Sequence, residues 1–285
     1  DIAFRRTAGV SGHISLKKAW ELMKTENVMT LAVTSASDKL EGLIITGDIA
    51  ESYMDVYDNH ILSRARTQYK NIVETLNGTL LAGNEHAYFL RGKVVVATGS
   101  RDVIEECIES DDLVIVGDRD ETHICALEEN ASCMVVTGGT QVSAQVLEMA
   151  NRRDCVVIFT PYDTFTAARL INQSMPIKYF MKKENFVTFD IDDYVDEVRE
   201  VMSKKRHRDF PVLDDQRRYL GMVSRRNLLN MHKKKLILVD HNEKSQAIDG
   251  IEGAEILEII DHHRLGSLET MSPVFFRNQP LGCTS

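Results

Sequence analysis

The chain has 285 residues, 43% of them hydrophobic, with five prolines and no low-complexity stretch, which suits two or three closely abutting compact units. A net charge of −9 and a pI near 5.5 argue against nucleic acid or a membrane surface as partner, and no apolar run reaches the roughly eighteen residues of a membrane span. Five cysteines, odd in number and without a CxxC pair, read as reduced thiols of a cytoplasmic protein with no exported or anchored segment.

Residues 1–60 carry a β-α-β-β-α rhythm. In ISLKKAWELMKTENVMTLAV, the residues Leu16, Ala19, Trp20, Leu22 and Met23 fall on one helical face, and Leu31–Val33 follow as a strand. After the polar turn Ser35–Lys39, GLIITGDIAESYM predicts a second strand running into a helix. Asp48 lies near that helix start, where a carboxylate caps the helix or holds a ribose hydroxyl.

Between residues 62 and 174, the short apolar runs KVVVAT, DLVIVG, SCMVVTGG and CVVIFT alternate with helical segments and predict a small α/β unit with a largely parallel sheet. Asp118-Arg119 and Thr137-Gly138-Gly139 follow two of these runs. The glycine pair suits either a phosphate-cradling loop or, with greater weight, a tight turn with positive φ. His123, beside Ile124 and Leu127 on an apolar-faced helix, reads as structural.

The opening rhythm returns over residues 176–232 as an internal repeat. Asp190–Asp193 offer N-cap candidates, and Val195, Val198, Val201 and Met202 form a helical stripe. Gly42-Leu-Ile-Ile-Thr-Gly-Asp48 aligns with Gly221-Met-Val-Ser-Arg-Arg-Asn227. Arg206, Arg208, Arg225 and Arg226 bring charge suited to a polyphosphate and read equally as surface residues. Tyr219 suits stacking on a base, a dimer contact or the core.

In KKKLILVDHNE and EILEIIDHHRLG, a β-branched apolar run stops at an aspartate followed by histidine. Leu236–Val239 and Ile256–Ile260 read as buried parallel strands, and Lys244–Gly253 is long enough for a right-handed helical crossover. Asp240 and Asp261 then meet at one carboxyl sheet edge. Asp240, His241, Asp261, His262 and His263 are ligand types suited to manganese, cobalt, zinc or magnesium; for a single Asp-His dipeptide a helix cap with solvated histidines is the better reading, and the two strand-end copies reverse that preference.

VDHNE, IDHHR and the terminal GCTS (Gly282–Ser285) resemble, in order and spacing, motifs of the DHH phosphoesterase superfamily and, more narrowly, of the family II manganese-dependent inorganic pyrophosphatases. The repeats resemble a pair of CBS domains, and Asp118-Arg119 with Thr137-Gly138-Gly139 resembles a DRTGG domain. The resemblance implies an α/β chain: a CBS pair (1–61 and 175–232) interrupted by a small DRTGG domain (62–174), then part of a parallel-sheet DHH domain (233–285). The family's HxxxDxD metal-ligand pattern does not occur here, so an internal fragment, inactive alone, is expected.

By this resemblance the whole protein hydrolyses pyrophosphate with Mn2+, or Co2+ or Mg2+, as a homodimer joined through its CBS domains. Asp240 and His262 would ligate metal, His263 would face the electrophilic phosphoryl group and Asp261 would orient a histidine, while Cys283 receives no role. Adenine nucleotides (AMP, ADP, ATP or diadenosine polyphosphates) would bind at Asp48, Thr46, Arg208, Tyr219, Ser224, Arg225 and Asn227. Ile45 replaces the expected hydroxyl in the first repeat and Asn227 the acid in the second, so the two clefts are not equivalent. The alternatives are a non-catalytic nucleotide sensor, or a DHH exonuclease or cyclic-dinucleotide phosphodiesterase, against which the inserted domains and the acidic charge argue.

Overall fold

The computed structural model describes residues 4–54, 58–139, 141–229, 233–248, 250–266, 268–270 and 272–279, and the chain divides into two units. One comprises residues 8–186 with 217–219; the other comprises 1–7, 187–216 and 220–285.

In the first unit, Ser15 caps helix α1 (Leu16–Thr25) by accepting from the Lys18 N–H at 3.1 Å, and Leu16, Ala19 and Met23 form its buried stripe. Trp20, expected on that face, lies at its edge and is 47% exposed. Strands β1 (Thr30–Thr34) and β2 (Leu40–Ile45) pair antiparallel, and helix α2 (Thr46–Met54) follows directly. In place of a first strand there is one parallel bridge, Val10 to Val33.

The chain continues through α3 (Ile61–Arg64), β3 (Thr67–Gln68), α4 (Tyr69–Thr75), β4 (Thr79–Ala82), β5 (Tyr88–Phe89) and β6 (Val94–Val96). Then come α5 (Arg101–Cys107), β7 (Leu113–Val116), α6 (Asp120–Glu128), β8 (Cys133–Val136), α7 (Ala144–Arg152), β9 (Val156–Phe159) and α8 (Thr164–Leu170). Four of these strands form the expected parallel sheet, and β4 adds antiparallel at its edge, in the order β4-β9-β8-β7-β6.

Every residue of β7 and β8 is buried because both sheet faces are covered, which is why these strands read as unbroken apolar runs. Leu113, Ile115, Cys133 and Val135 enter one core, shared with Leu16, Ile72 and Met175; Val114, Val116, Met134 and Val136 enter the other, with Ile104 and Val146. Each such side chain contributes about 1.5–3 kcal/mol of transfer free energy. After this sheet the chain returns to its start: Ile177 N donates to Ile14 O, Lys178 N to Gly12 O and Lys182 N to Leu43 O, at 2.8–2.9 Å.

The second unit holds β10 (Phe189–Asp190), α9 (Val195–Lys204), β11 (Asp209–Leu213), most of β12 (Tyr219–Ser224) and α10 (Arg225–Leu229). Val198 and Met202 supply the buried stripe of α9. None of Asp190–Asp193 takes the N-cap position: Tyr194 holds it without a side-chain bond, because the Asp193 carboxylate accepts from Asp190 N at 2.8 Å instead. Arg5 forms an antiparallel bridge with Met222, joining the start of the chain to this repeat.

Strands β13 (Lys235–Val239), β14 (Glu255–Asp261) and β15 (Phe275–Asn278) then form a three-stranded parallel sheet. The parallel pairing is as expected, but the crossover is not an α-helix; it consists of two 3-10 turns, Lys244–Gln246 and Ile251–Gly253. The strands are not fully buried either: among the described residues Leu238, Ile251 and Ile259 are the buried anchors of their core, while Ile237, Val239 and Leu257 stay exposed. Gly282–Ser285 lie outside the described residues.

Candidate metal centre and nucleotide positions

The register of β13 on β14 sets Val239 opposite Ile260, so the residues after each run meet at the carboxyl edge. Asp240 N donates to Ile260 O at 2.9 Å, and Asp240 adopts φ 67°. Aspartate tolerates this left-handed conformation better than most residues. Ligand atoms of Asp240, His262 and His263 lie within 4.8 Å of one another, with the nearer imidazole nitrogen of His262 at 3.7 Å from the Asp240 carboxylate. A carboxylate beside two imidazoles is a donor set that fits a borderline divalent ion such as manganese or cobalt. His241 stays apart, its Nδ1 at 2.9 Å from Val239 O.

Asp261 is not in that cluster but supports it. It is buried, and its Oδ1 accepts from His262 N at 2.7 Å, His263 N at 3.2 Å and His263 Nδ1 at 2.7 Å. Burial pushes this carboxyl up, but the bonds from the His263 ring and the two backbone N–H groups, with that from Asn242, outweigh it and hold the group at about 2. The Asp261 carboxylate thus holds the His263 ring through Nδ1, the usual device by which a carboxylate orients a ligand histidine.

Sequence reading assigned no role to Asn242, which is 3% exposed. Its Nδ2 donates to Asp261 Oδ2 and, at 3.0 Å, to Arg264 O, while its Oδ1 accepts from Gly266 N at 2.6 Å. A Cβ on Gly266 would lie 2.4 Å from Asn242 Oδ1, so this approach requires glycine. Asn278 of β15 donates to His263 O at 2.9 Å. An asparagine directly after a strand-end Asp-His was the available signal.

The two repeats share one local device at the predicted nucleotide positions. Asp48 Oδ2 accepts from Ile45 N at 2.9 Å, and Asn227 Oδ1 accepts from Ser224 N at 2.8 Å and Ser224 Oγ at 2.7 Å. The second Asp48 oxygen pairs with Lys182 at 3.3 Å, and Thr46 N donates to Met29 O at 3.0 Å. Ser224 and Asn227 are thus brought together. Arg225 instead donates to Met202 O and Lys205 O, closing the end of α9, while Arg208 is exposed and Tyr219 buried. Near Ser224, a cleft of about 550 Å³ has Phe4, Val212 and Val223 in its lining and Asp190, Asp192 and Asp193 among its acids.

At the DRTGG-like positions, Gly138 and Gly139 have φ of 77° and 73°, and their N–H groups donate to Tyr162 O and Thr160 O. They form a turn with its donors already taken. Arg119 donates to Gly99 O at 2.7 Å, and buried His123 has Nε2 at 2.8 Å from Gly117 O. Among the described residues no helix is long and apolar enough to cross a membrane.

A DRTGG domain model matches residues 71–174 and a CBS domain model residues 177–233. The chain is 40% identical over its full length to the cobalt-dependent inorganic pyrophosphatase of Clostridium perfringens, covering 52% of that protein. It is 38% identical over 93% of its length to a probable manganese-dependent inorganic pyrophosphatase of Thermotoga maritima, covering 48% of it. The chain thus spans about half the length of these curated relatives. The solved CBS and DRTGG domains of the regulatory region of Clostridium perfringens pyrophosphatase, complexed with the activator diadenosine tetraphosphate, match 79% of this chain and 98% of that one with a TM-score of 0.76 and 36% identity. With that coverage, and with both domain models matching in the same order, the chain belongs to the family of CBS- and DRTGG-domain regulatory regions of pyrophosphatases.

Proposed function

We propose that the whole protein hydrolyses inorganic pyrophosphate to two phosphates under the control of adenine nucleotides, and that this chain holds the regulatory region and part of the catalytic domain. The carrying observation is the Asp240, His262 and His263 cluster, followed in support by its presence in the same chain as domains 36% identical to an activator-binding regulatory region. Asp240 and His262 would hold Mn2+ or Co2+, with Mg2+ as the alternative. A divalent ion there supplies neutralising charge for a highly anionic substrate. Asp261 positions His263, which would face the phosphoryl group of the substrate.

The regulatory half is assigned to residues 1–232, with CBS domains at 1–61 and 175–232 and the DRTGG domain at 62–174. Nucleotide contacts fall to Thr46, Asp48, Arg208, Tyr219, Ser224, Arg225 and Asn227. The effectors are AMP, ADP, ATP or diadenosine polyphosphates. We place the protein in the cytoplasm as a homodimer joined through its CBS domains. Titration of this chain with AMP, ATP and diadenosine tetraphosphate, repeated with Ser224→Ala, should show binding that weakens in the variant. In the full-length protein, His263→Ala should abolish pyrophosphate hydrolysis while leaving nucleotide binding intact. Nucleotide binding without hydrolysis by the unaltered full-length protein would make it a sensor instead.

A further inference from the structure

A concentration of positive charge lies in the first unit. A cleft of about 550 Å³ belongs to the second repeat, but another of about 620 Å³ is lined by Arg64, Arg66, Lys178 and Lys183, with no carboxylate among the described residues of its lining. Its volume is in the range of small-molecule sites. Ala65 and buried Pro176 contribute apolar wall, while His13, Tyr88 and Tyr179 supply ring faces and polar tips. Four basic residues line this one cleft in a chain of net charge −9, and like charges so grouped repel one another unless an anion, a carboxylate or solvent counter-ions compensate them.

The neighbouring carboxylates only partly compensate. Arg64 pairs with Asp58 at 2.5 Å and Lys178 lies 3.9 Å from Glu41, but among the described residues Arg66 and Lys183 have no ion pair. Lys182 and Lys183 are divided between two tasks: the ammonium of Lys182 goes to Asp48 at 3.3 Å, while its successor lines this cleft. The first repeat's predicted nucleotide residues, Thr46 and Asp48, are absent from the lining.

Arg66 carries a further mark. Of the ten described non-glycine residues with positive φ, eight are asparagine or aspartate, the side chains that tolerate the left-handed region; only Arg66, at φ 55°, and Arg217 depart from this. A bulky cation held in an unfavourable backbone conformation on the wall of a cationic cleft is the pattern of a residue placed for its side chain.

We propose that this cleft is a second, separate anion site that takes a small molecule carrying two or more phosphates. Arg64 and Arg66 present planar donors to phosphate oxygens, Lys178 and Lys183 supply point charges, and the two tyrosines offer ring faces to a base if the ligand is a nucleotide. Its basic lining residues come from the start of the DRTGG domain and from the first residues of the repeat that follows it, so a bound polyanion ties Arg64–Arg66 to the 176–183 segment. The site does not depend on the proposed catalytic activity.

The test uses the 285-residue chain, with tripolyphosphate and ATP as calorimetric probes. The background is Ser224→Ala, which weakens the second repeat's site. Arg66→Gly removes the guanidinium and suits the left-handed backbone, so the variant should keep the parent's unfolding transition. Tripolyphosphate should bind in the Ser224→Ala background, weaken as salt rises, and weaken by about tenfold or more when Arg66→Gly and Lys183→Ala are added. Equal affinity for the two probes would assign recognition to the phosphate chain, and tighter ATP binding to a nucleoside polyphosphate. Affinities unchanged by Arg66→Gly and Lys183→Ala, or no binding of either probe in the Ser224→Ala background, would overturn the proposal.

Discussion

Replacing Asn242 by alanine tests the logic of the strand-end cluster most directly. The wild-type amide makes three bonds, to the Asp261 carboxylate, Arg264 O and Gly266 N, and the residue is 3% exposed. A bond to a charged group is worth about 1.5–3 kcal/mol and each neutral one about 1 kcal/mol, so together they hold the 261–266 loop by about 3–5 kcal/mol before relaxation. The substitution leaves Asp261 Oδ2 without this donor and frees the loop that carries both histidines. Removing such a supporting partner costs about 10–100-fold in metal affinity. Asn242→Asp should be worse, because it replaces the donor by a second carboxylate against Asp261. Manganese binding to the full-length protein, followed by electron paramagnetic resonance, reads the first effect, and hydrogen exchange at 261–266 the second. Affinity within threefold of wild type and unchanged exchange would show that Asn242 does not organise the site.

Three further outcomes follow from the packing. Ile115→Ala, inside a strand buried on both faces, should cost about 2–5 kcal/mol in urea unfolding of the first unit; Asp48→Ala, which removes the acceptor for Ile45 N and the partner of Lys182, should cost about 1–2 kcal/mol. Burial pushes the Cys155 thiol up to about 12 and the Cys133 thiol well above its ordinary value. Both should therefore resist maleimide at pH 8 to 10 in the native protein and react only on unfolding, whereas exposed Cys107 labels at once; mass spectrometry of the labelled peptides separates the three.

What the sequence disclosed depended on whether one short-range pattern determined the outcome. Unbroken apolar runs such as Leu113–Val116, alternating with helical segments, announce a largely parallel sheet, and a β-branched run ending in Asp-His places Asp240 and Asp261 at one edge. The crossover between them departs from the helical expectation, which rests on length alone. With Gly250 and Gly253 inside a ten-residue segment, the chain takes two 3-10 turns instead. Strand β15 follows Pro273, is only four residues long and carries no β-branched residue, so it gave no signal. Asn242 and Gly266 act through an approach across 24 residues, and Arg225 through carbonyls at the end of another helix. Such pairings are set by tertiary geometry.

The antiparallel bridge between Leu43 and Lys182 also bears on how the protein is made. About 140 residues must leave the ribosome after β2 before its partner segment exists, which takes about 7–28 s at ordinary elongation rates. For that interval β2 presents an unpaired edge on a nascent chain, the condition that invites pairing with another chain. The inserted sheet, whose strand pairs all lie between residues 79 and 159, can close on itself first. Its completion then delivers Pro176 beside Ser15 and Lys182 beside Leu43, so the insertion acts as an internal timer for assembly of the repeat that surrounds it.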